Sequence, residues 1–222
     1  MFSRTTLLIG DDNLKKLKQS HIAVFGVGGV GGYVAEMLVR AGVGEITIVD
    51  FDKVDVTNIN RQIIALHSTV GQYKVDVMKS RLLDINPNLK ITTICDKYTP
   101  LNRDTFFASH YDYVVDAIDI VTSKVDLIKY CHDHDIRVVS AMGAGNRYCV
   151  PDFKVVDIFK TYNDGLCKIV RKKLRELGIE KHTVVFTDNL QSSSGDVVGS
   201  ISYYPAMCGC VLSGYVINQI LN

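Results

Sequence analysis

Along this 222-residue chain, short apolar runs bounded by glycine or polar clusters alternate with longer segments of helical periodicity. His21-Ile-Ala-Val-Phe25 is apolar throughout after His21 rather than alternating, the pattern of a strand covered on both faces within a parallel sheet. A polar helix over about residues 11–19 precedes it. A glycine-rich turn from Gly26 to Gly32 follows, then a helix whose apolar positions Val34, Leu38 and Val39 recur at helical spacing until Gly42 and Gly44 end it. Glu45 to Val49 is the next strand, closing on Asp50. A helix over about 73–84 stops ahead of Asn86-Pro87, because the residue before proline is pushed out of the helical region. Further strands are expected at 90–94, 111–117 and 137–141, with helices between the later ones. This βαβα order predicts an α/β fold: a doubly wound, Rossmann-like, mostly parallel sheet with right-handed crossovers over residues 1–145.

Beyond about residue 146 the pattern changes. Residues 153–159, 183–186 and 200–204 read as strands flanking one charged helix over 161–178. Residues 187–199, with three serines and two glycines, read as a mobile loop. Residues 146–222 are therefore expected to form a smaller C-terminal α+β extension that completes the fold.

Composition narrows the classes. With 47% hydrophobic and 22% charged residues the chain has an ordinary core-forming content, which excludes disorder. No run reaches the ~18 apolar residues of a membrane span, and Asp11 and Asp12 close a short N-terminal apolar patch that is no signal peptide. A cytoplasmic protein without membrane association is expected. Six cysteines contain no C-x-x-C pair, so reduced thiols rather than disulfides or a structural zinc are expected. A net charge of +1 argues against a uniformly basic nucleic-acid binder, yet the charge is unevenly placed. Residues 160–182 hold seven basic and three acidic side chains, leaving 18 basic and 21 acidic elsewhere. Within that segment Lys168, Arg171, Lys172 and Arg175 recur at i, i+3, i+4 and i+7, opposite Leu166, Ile169, Val170, Leu174 and Leu177. Such a stripe is either a solvated helix face or, together with Arg147, a surface for RNA phosphates.

The glycine turn carries the first chemical signal. Gly26, Gly28, Gly29 and Gly31 fit G-x-G-x-x-G between a strand and a helix, and Asp50 lies 19 residues after Gly31 at the end of the next strand. Glycines let the backbone approach a phosphate chain, the helix start supplies N–H donors, and the acid suits a ribose hydroxyl. The following residues separate a dinucleotide from a triphosphate, which needs cationic side chains and a metal. Asn58-x-Asn60-Arg61-Gln62 and Lys74 supply polar and cationic groups at the expected ligand-binding edge, and Asp116-x-x-Asp119 ends a strand there, suited to Mg²⁺. No G-x-x-x-x-G-K-[ST] is present, so this is not a P-loop protein. Singly, each of these side chains could equally be a surface cation or a strand-end turn.

Taken together, the glycine loop, Asp50-x-Asp52, Asn58-x-Asn60-Arg61 and Lys74 resemble the adenylating superfamily of ubiquitin-activating enzymes and their bacterial relatives in thiamin and molybdopterin synthesis. The resemblance implies ATP with Mg²⁺ and attack of a substrate carboxylate on the α-phosphate. It implies that Asp50 holds the ribose, Asn58, Arg61 and Lys74 the phosphates, and Asp119 the metal. Arg4 matches an arginine that reaches the partner subunit's phosphates, which implies a homodimer. Phe2-Ser-Arg4, Gly42-Val-Gly44-Glu45, Asp55-Val-Thr57, His67-Ser-Thr-Val-Gly71, Asp84-Ile-Asn86-Pro87, Thr122-Ser-Lys124 and Met142-Gly-Ala-Gly145-Asn146 are similar to one branch, the tRNA threonylcarbamoyladenosine dehydratases. For that branch the implied reaction is ATP-dependent cyclisation of the threonylcarbamoyl group on tRNA with loss of water. tRNA would then lie on Arg147, Lys168, Arg171, Lys172 and Arg175. A membrane-associating C-terminal tail, carried by some relatives, is not expected beyond Asn222. Two alternatives stay open: an adenylyltransferase acting on a small sulfur-carrier protein, and a non-catalytic NAD-binding regulator. The first would place a cysteine nucleophile near Cys167, for which buried packing is the competing reading; the missing cysteine pairs argue against it. Arg61, Lys74 and Asp119 argue against the second.

Overall fold

The computed structural model describes residues 1–192 and 198–222. Seven strands form one sheet in the order β3-β2-β1-β4-β5-β7-β6, with β1 (His21–Phe25), β2 (Glu45–Val49), β3 (Lys90–Ile94), β4 (Tyr113–Asp116), β5 (Val138–Ala141), β6 (Lys154–Asp157) and β7 (Thr183–Phe186). All neighbours run parallel except β6 against β7. The central strands are covered on both faces, as their unbroken apolar runs require: Ile22 to Phe25 and Val114 to Asp116 are fully buried. Strand order reverses between β1 and β4, which opens the crevice at the carboxyl edge where doubly wound folds take ligands.

Among the described residues seven α-helices surround the sheet: α1 (Ser3–Ile9), α2 (Asp11–Gln19), α3 (Gly31–Ala41), α4 (Lys74–Ile85), α5 (Val121–Asp133), α6 (Gly165–Glu176) and α7 (Tyr203–Leu221). One face is covered by α3, α4 and α7, where Val34, Leu38, Met78, Leu82, Leu212 and Val216 join the strand side chains. The other is covered by α5, with Phe25, Phe106, Leu127 and Cys131, and by α6, with Cys167, Val170 and Leu174 against Val184 and Phe186. Helix α3 ends at Gly42, whose φ of 116° closes a left-handed cap on Leu38. Gly209 of α7 lets that helix cross α3 closely, since a Cβ there would lie 2.6 Å from the Val30 carbonyl oxygen. Residues after 146 thus contribute β6, β7, α6 and α7 to the same sheet and core. No helix among the described residues is long and apolar enough to cross a membrane.

Three local expectations change. Residues 200–204 do not form a strand: Tyr203 and Tyr204 open α7, and Pro205 sits in its first turn, where a missing N–H costs nothing. The strand expected at 153–159 is confined to Lys154–Asp157, and Asp157 caps a 3-10 turn over Ile158–Lys160 through the Phe159 N–H. Helix α1 is an addition to the expected elements: it buries no residue and so leaves no apolar stripe in the sequence. Of the loop expected at 187–199, residues 193–197 lie outside the described residues.

Candidate functional site

A cavity of about 680 Å³ opens at the carboxyl edge of the sheet between β1 and β4. The chain leaves β1 at Gly26 with φ 91°, and a Cβ there would sit 2.7 Å from the Ala117 carbonyl oxygen, so only glycine is tolerated. Gly26, Gly28 and Gly29 line the cavity. Gly31 does not: a Cβ on it would stand 1.8 Å from the Gly26 oxygen, so its role is close packing of α3 against the loop rather than ligand contact. Asp50 directly follows β2 with 8% exposure; its Oδ2 accepts the Val27 N–H at 2.7 Å and its Oδ1 the Asp52 N–H at 2.9 Å. Burial pushes the Asp50 carboxyl above the ordinary range, opposed by nearby Lys74 and by the two N–H donors.

The cationic residues face the same space. Lys74 opens α4, is buried, and places Nζ 2.8 Å from Asp52 Oδ2 and 4.0 Å from Asp50 Oδ1. Arg61 donates through Nη1 to the Thr57 carbonyl and to Asn60 Oδ1, both at 2.9 Å, and its side chain borders the glycine loop beside Gly29. Asn58 departs from expectation: it does not line the cavity, and its Oδ1 accepts the Asp55 N–H at 3.1 Å to close the capping box of the Val56–Asn58 turn. It shapes the loop that presents Arg61. Gln62, the last residue of that polar cluster and without an assigned role, lines the cavity at 6% exposure with Oε1 unpartnered among the described residues.

The two strand-end carboxylates separate. Asp116 is fully buried and engaged by Lys124, whose Nζ lies 2.7 Å from Oδ2 and donates also to the Ala141 carbonyl at 3.0 Å. Asp119 is exposed, lines the cavity, and pairs with no cation among the described residues. No group of three His, Cys, Asp or Glu among the described residues could hold a metal alone. A cation held by one carboxylate and shared with phosphates fits Asp119, since Mg²⁺ keeps several waters and needs few protein ligands.

The opposite wall of the cavity is built by Met142 to Asn146, Leu166 and Gln191. Helix α6 starts beside it, capped by Asp164, whose Oδ1 accepts the Cys167 N–H at 2.7 Å. Lys168, Lys172 and Arg175 are exposed on its outer face, Arg175 lying over the Phe159 ring. Arg171 is half-buried and tied through Nη1 to the Thr161 carbonyl and hydroxyl. Arg147 corrects the expectation of a surface RNA contact: its side chain is fully buried and ion-paired to Asp164 at 3.1 Å. Cys167 is buried as well, and burial pushes its thiol well above the ordinary range, so it packs rather than reacts. Arg4 stands on exposed α1, and neighbouring Phe2 packs near Gly42, at the far end of α3 from the glycine loop. It does not reach its own chain's cavity.

The ThiF family model matches residues 2–222. The chain belongs to the ThiF family. It is 41% identical over 239 aligned residues to the tRNA threonylcarbamoyladenosine dehydratase of Bacillus subtilis, covering 99% of this chain and 94% of that one. The enzyme of the same name from Escherichia coli is 41% identical over 183 residues, 82% of this chain and 68% of the relative. The solved structure of E. coli tRNA N6-threonylcarbamoyladenosine dehydratase in complex with ATP superposes with a TM-score of 0.95 at 36% identity, covering 99% of this chain and 93% of that chain. E. coli MccB with ATP, at 21% identity and TM-score 0.70, shares the fold.

Proposed function

We propose that this protein is an ATP-dependent tRNA threonylcarbamoyladenosine dehydratase acting in the cytoplasm. The observation that carries this reading is 41% identity to a dehydratase across nearly the full length of both chains. The cavity chemistry agrees. Gly26, Gly28 and Gly29 leave space for phosphates at the start of α3, and Asp50 accepts ribose hydroxyls. Arg61 and Lys74 neutralise the triphosphate, and Asp119 would hold Mg²⁺, which supplies further charge neutralisation there. A carboxylate is a poor electrophile because its leaving group would be oxide. Attack of the threonyl carboxylate oxygen on the α-phosphorus breaks the bond to pyrophosphate and leaves an acyl-adenylate. An internal nucleophile of the threonylcarbamoyl group then displaces AMP, so water is lost overall at the expense of ATP. The protein's part is to set the carboxylate in line with the α-phosphorus and to balance the charge that develops.

The exposed face of α6, with Lys168, Lys172 and Arg175, supports a tRNA contact. Helix α1, with Leu7 and Leu8 81% and 85% exposed, supports a homodimer in which Arg4 serves the partner's site. ATP–pyrophosphate exchange with modified tRNA, unmodified tRNA and a carrier protein ending in two glycines, each offered separately, tests the reading. Exchange with modified tRNA alone is expected; exchange stimulated only by the carrier protein would overturn it in favour of an adenylyltransferase.

A further inference from the structure

We infer that Arg147 and Asp164 are positioning residues that hold helix α6 in fixed register with the cavity wall opposite the glycine loop. This rests on the dehydratase reading. Every nitrogen of the Arg147 guanidinium is used. Nε donates to the Asn189 carbonyl at 2.7 Å, Nη1 to the carbonyls of Gly143 at 3.1 Å and Gly145 at 3.2 Å, and Nη2 to Asp164 Oδ2 at 3.1 Å. The second oxygen of Asp164 caps α6 through Cys167. One buried ion pair thereby joins three separate segments: the loop after β5, the segment after β7, and the first turn of α6. Each of them contributes to the cavity wall, through Gly143 and Gly145, Gln191, and Leu166 respectively.

The junction has no slack, because a Cβ on Gly143 would stand 2.5 Å from Asp164 Oδ2. Asn146, at φ 58°, extends the same wall, its Oδ1 accepting the Gly199 N–H at 2.6 Å. A buried ion pair is rarely more stabilising than apolar packing of equal volume. What it adds is direction, and the planar guanidinium fork fixes several acceptors at once in a way lysine cannot. The nucleotide-side residues Asp50, Asp52 and Lys74 share no hydrogen bond with this junction. Consequently RNA gripped by the outer face of α6 presents its modified base at a set offset from the α-phosphate, and the ion pair sets that offset.

The test is the double variant R147M/D164N, which leaves no unpaired buried charge and keeps an asparagine cap on α6. ATP affinity, tRNA affinity with its salt dependence, thermal unfolding, and kcat and KM for modified tRNA are measured on wild type and variant. ATP and tRNA affinities are expected within about threefold of wild type while kcat falls roughly tenfold or more, the signature of misplacement rather than lost binding. Arg147→Lys, which keeps the charge without the fork, should show the same split on a fold that retains the ion pair. An unchanged kcat in both variants, or ATP affinity falling in step with kcat, would overturn the inference. A wild type that does not dehydrate modified tRNA would contradict the functional reading instead.

Discussion

Lys74 sits between two carboxylates, with Asp52 at 2.8 Å and Asp50 at 4.0 Å. On the proposed reading, a triphosphate entering the cavity competes with Asp52 for the ammonium, which the ion pair holds in place. Lys74→Ala leaves Asp52 unpaired, but that side chain is 49% exposed and water can solvate it. The fold should survive while kcat falls by ~10²–10³-fold, the usual cost of removing a preorganised charge from the reacting phosphate. Arg61→Ala should behave alike. Near-normal turnover in either, with unfolding temperature unchanged, would show that the phosphates bind elsewhere. A second residue-scale effect concerns pH. His182 is almost fully buried, with Nε2 2.8 Å from the Ser140 hydroxyl and Nδ1 3.3 Å from His132 Nε2. Burial, together with nearby His132 and Lys124, lowers its pKa from 6.5 to about 3. The unfolded chain then binds the proton more readily than the folded one. Stability is full above pH 6.5 and is lost progressively as pH falls toward 3, by roughly 2 kcal/mol at pH 5. Urea unfolding at pH 7 and pH 5 should show this loss in wild type and a smaller one in His182→Gln; equal losses would contradict it.

At the scale of elements, α6 has two faces with different work. Cys167, Val170 and Leu174 anchor it to α5 and β7, while Lys168, Lys172 and Arg175 point to solvent. Replacing these three with glutamine should weaken tRNA binding and reduce the slope of log affinity against log salt by about 2, at ~0.7–0.9 per lost phosphate contact, with ATP affinity unchanged. An unaltered slope would remove α6 from the RNA contact. Motifs of fixed spacing made much of the cavity legible in advance: the glycine loop, Asp50, Arg61, Lys74 and Asp119 each lie within a short signature tied to a strand end. The opposite wall was not legible. Arg147 reads as one more surface cation because its anion, Asp164, lies 17 residues away and its other acceptors are backbone carbonyls, which carry no sequence mark. Asn58 and Gly31 belong to the right motifs, but backbone geometry gives them shaping roles. The tyrosines at 203 and 204 look like strand formers, and only packing of α7 on α3 overrides that local preference.

For the whole molecule, the proposed homodimer turns on the position of Arg4. Helix α3, 11 residues and so about 16 Å long, separates the glycine loop from the end near which α1 packs. In the proposed homodimer, Arg4 serves the other copy's cavity. Mixing inactive Arg4→Ala with inactive Lys74→Ala protein should restore activity, because each heterodimer holds one intact site; continued inactivity of the mixture would rule out a site shared between subunits. As a proposed dehydratase, this fold spends ATP to remove water from a modified nucleoside in tRNA. Mass spectrometry of nucleosides from threonylcarbamoyladenosine-bearing tRNA, incubated with the protein and ATP, tests it most directly. Loss of one water from that nucleoside is expected, dependent on ATP and matched by AMP and pyrophosphate. An unchanged nucleoside alongside AMP formation on a carrier protein would contradict it.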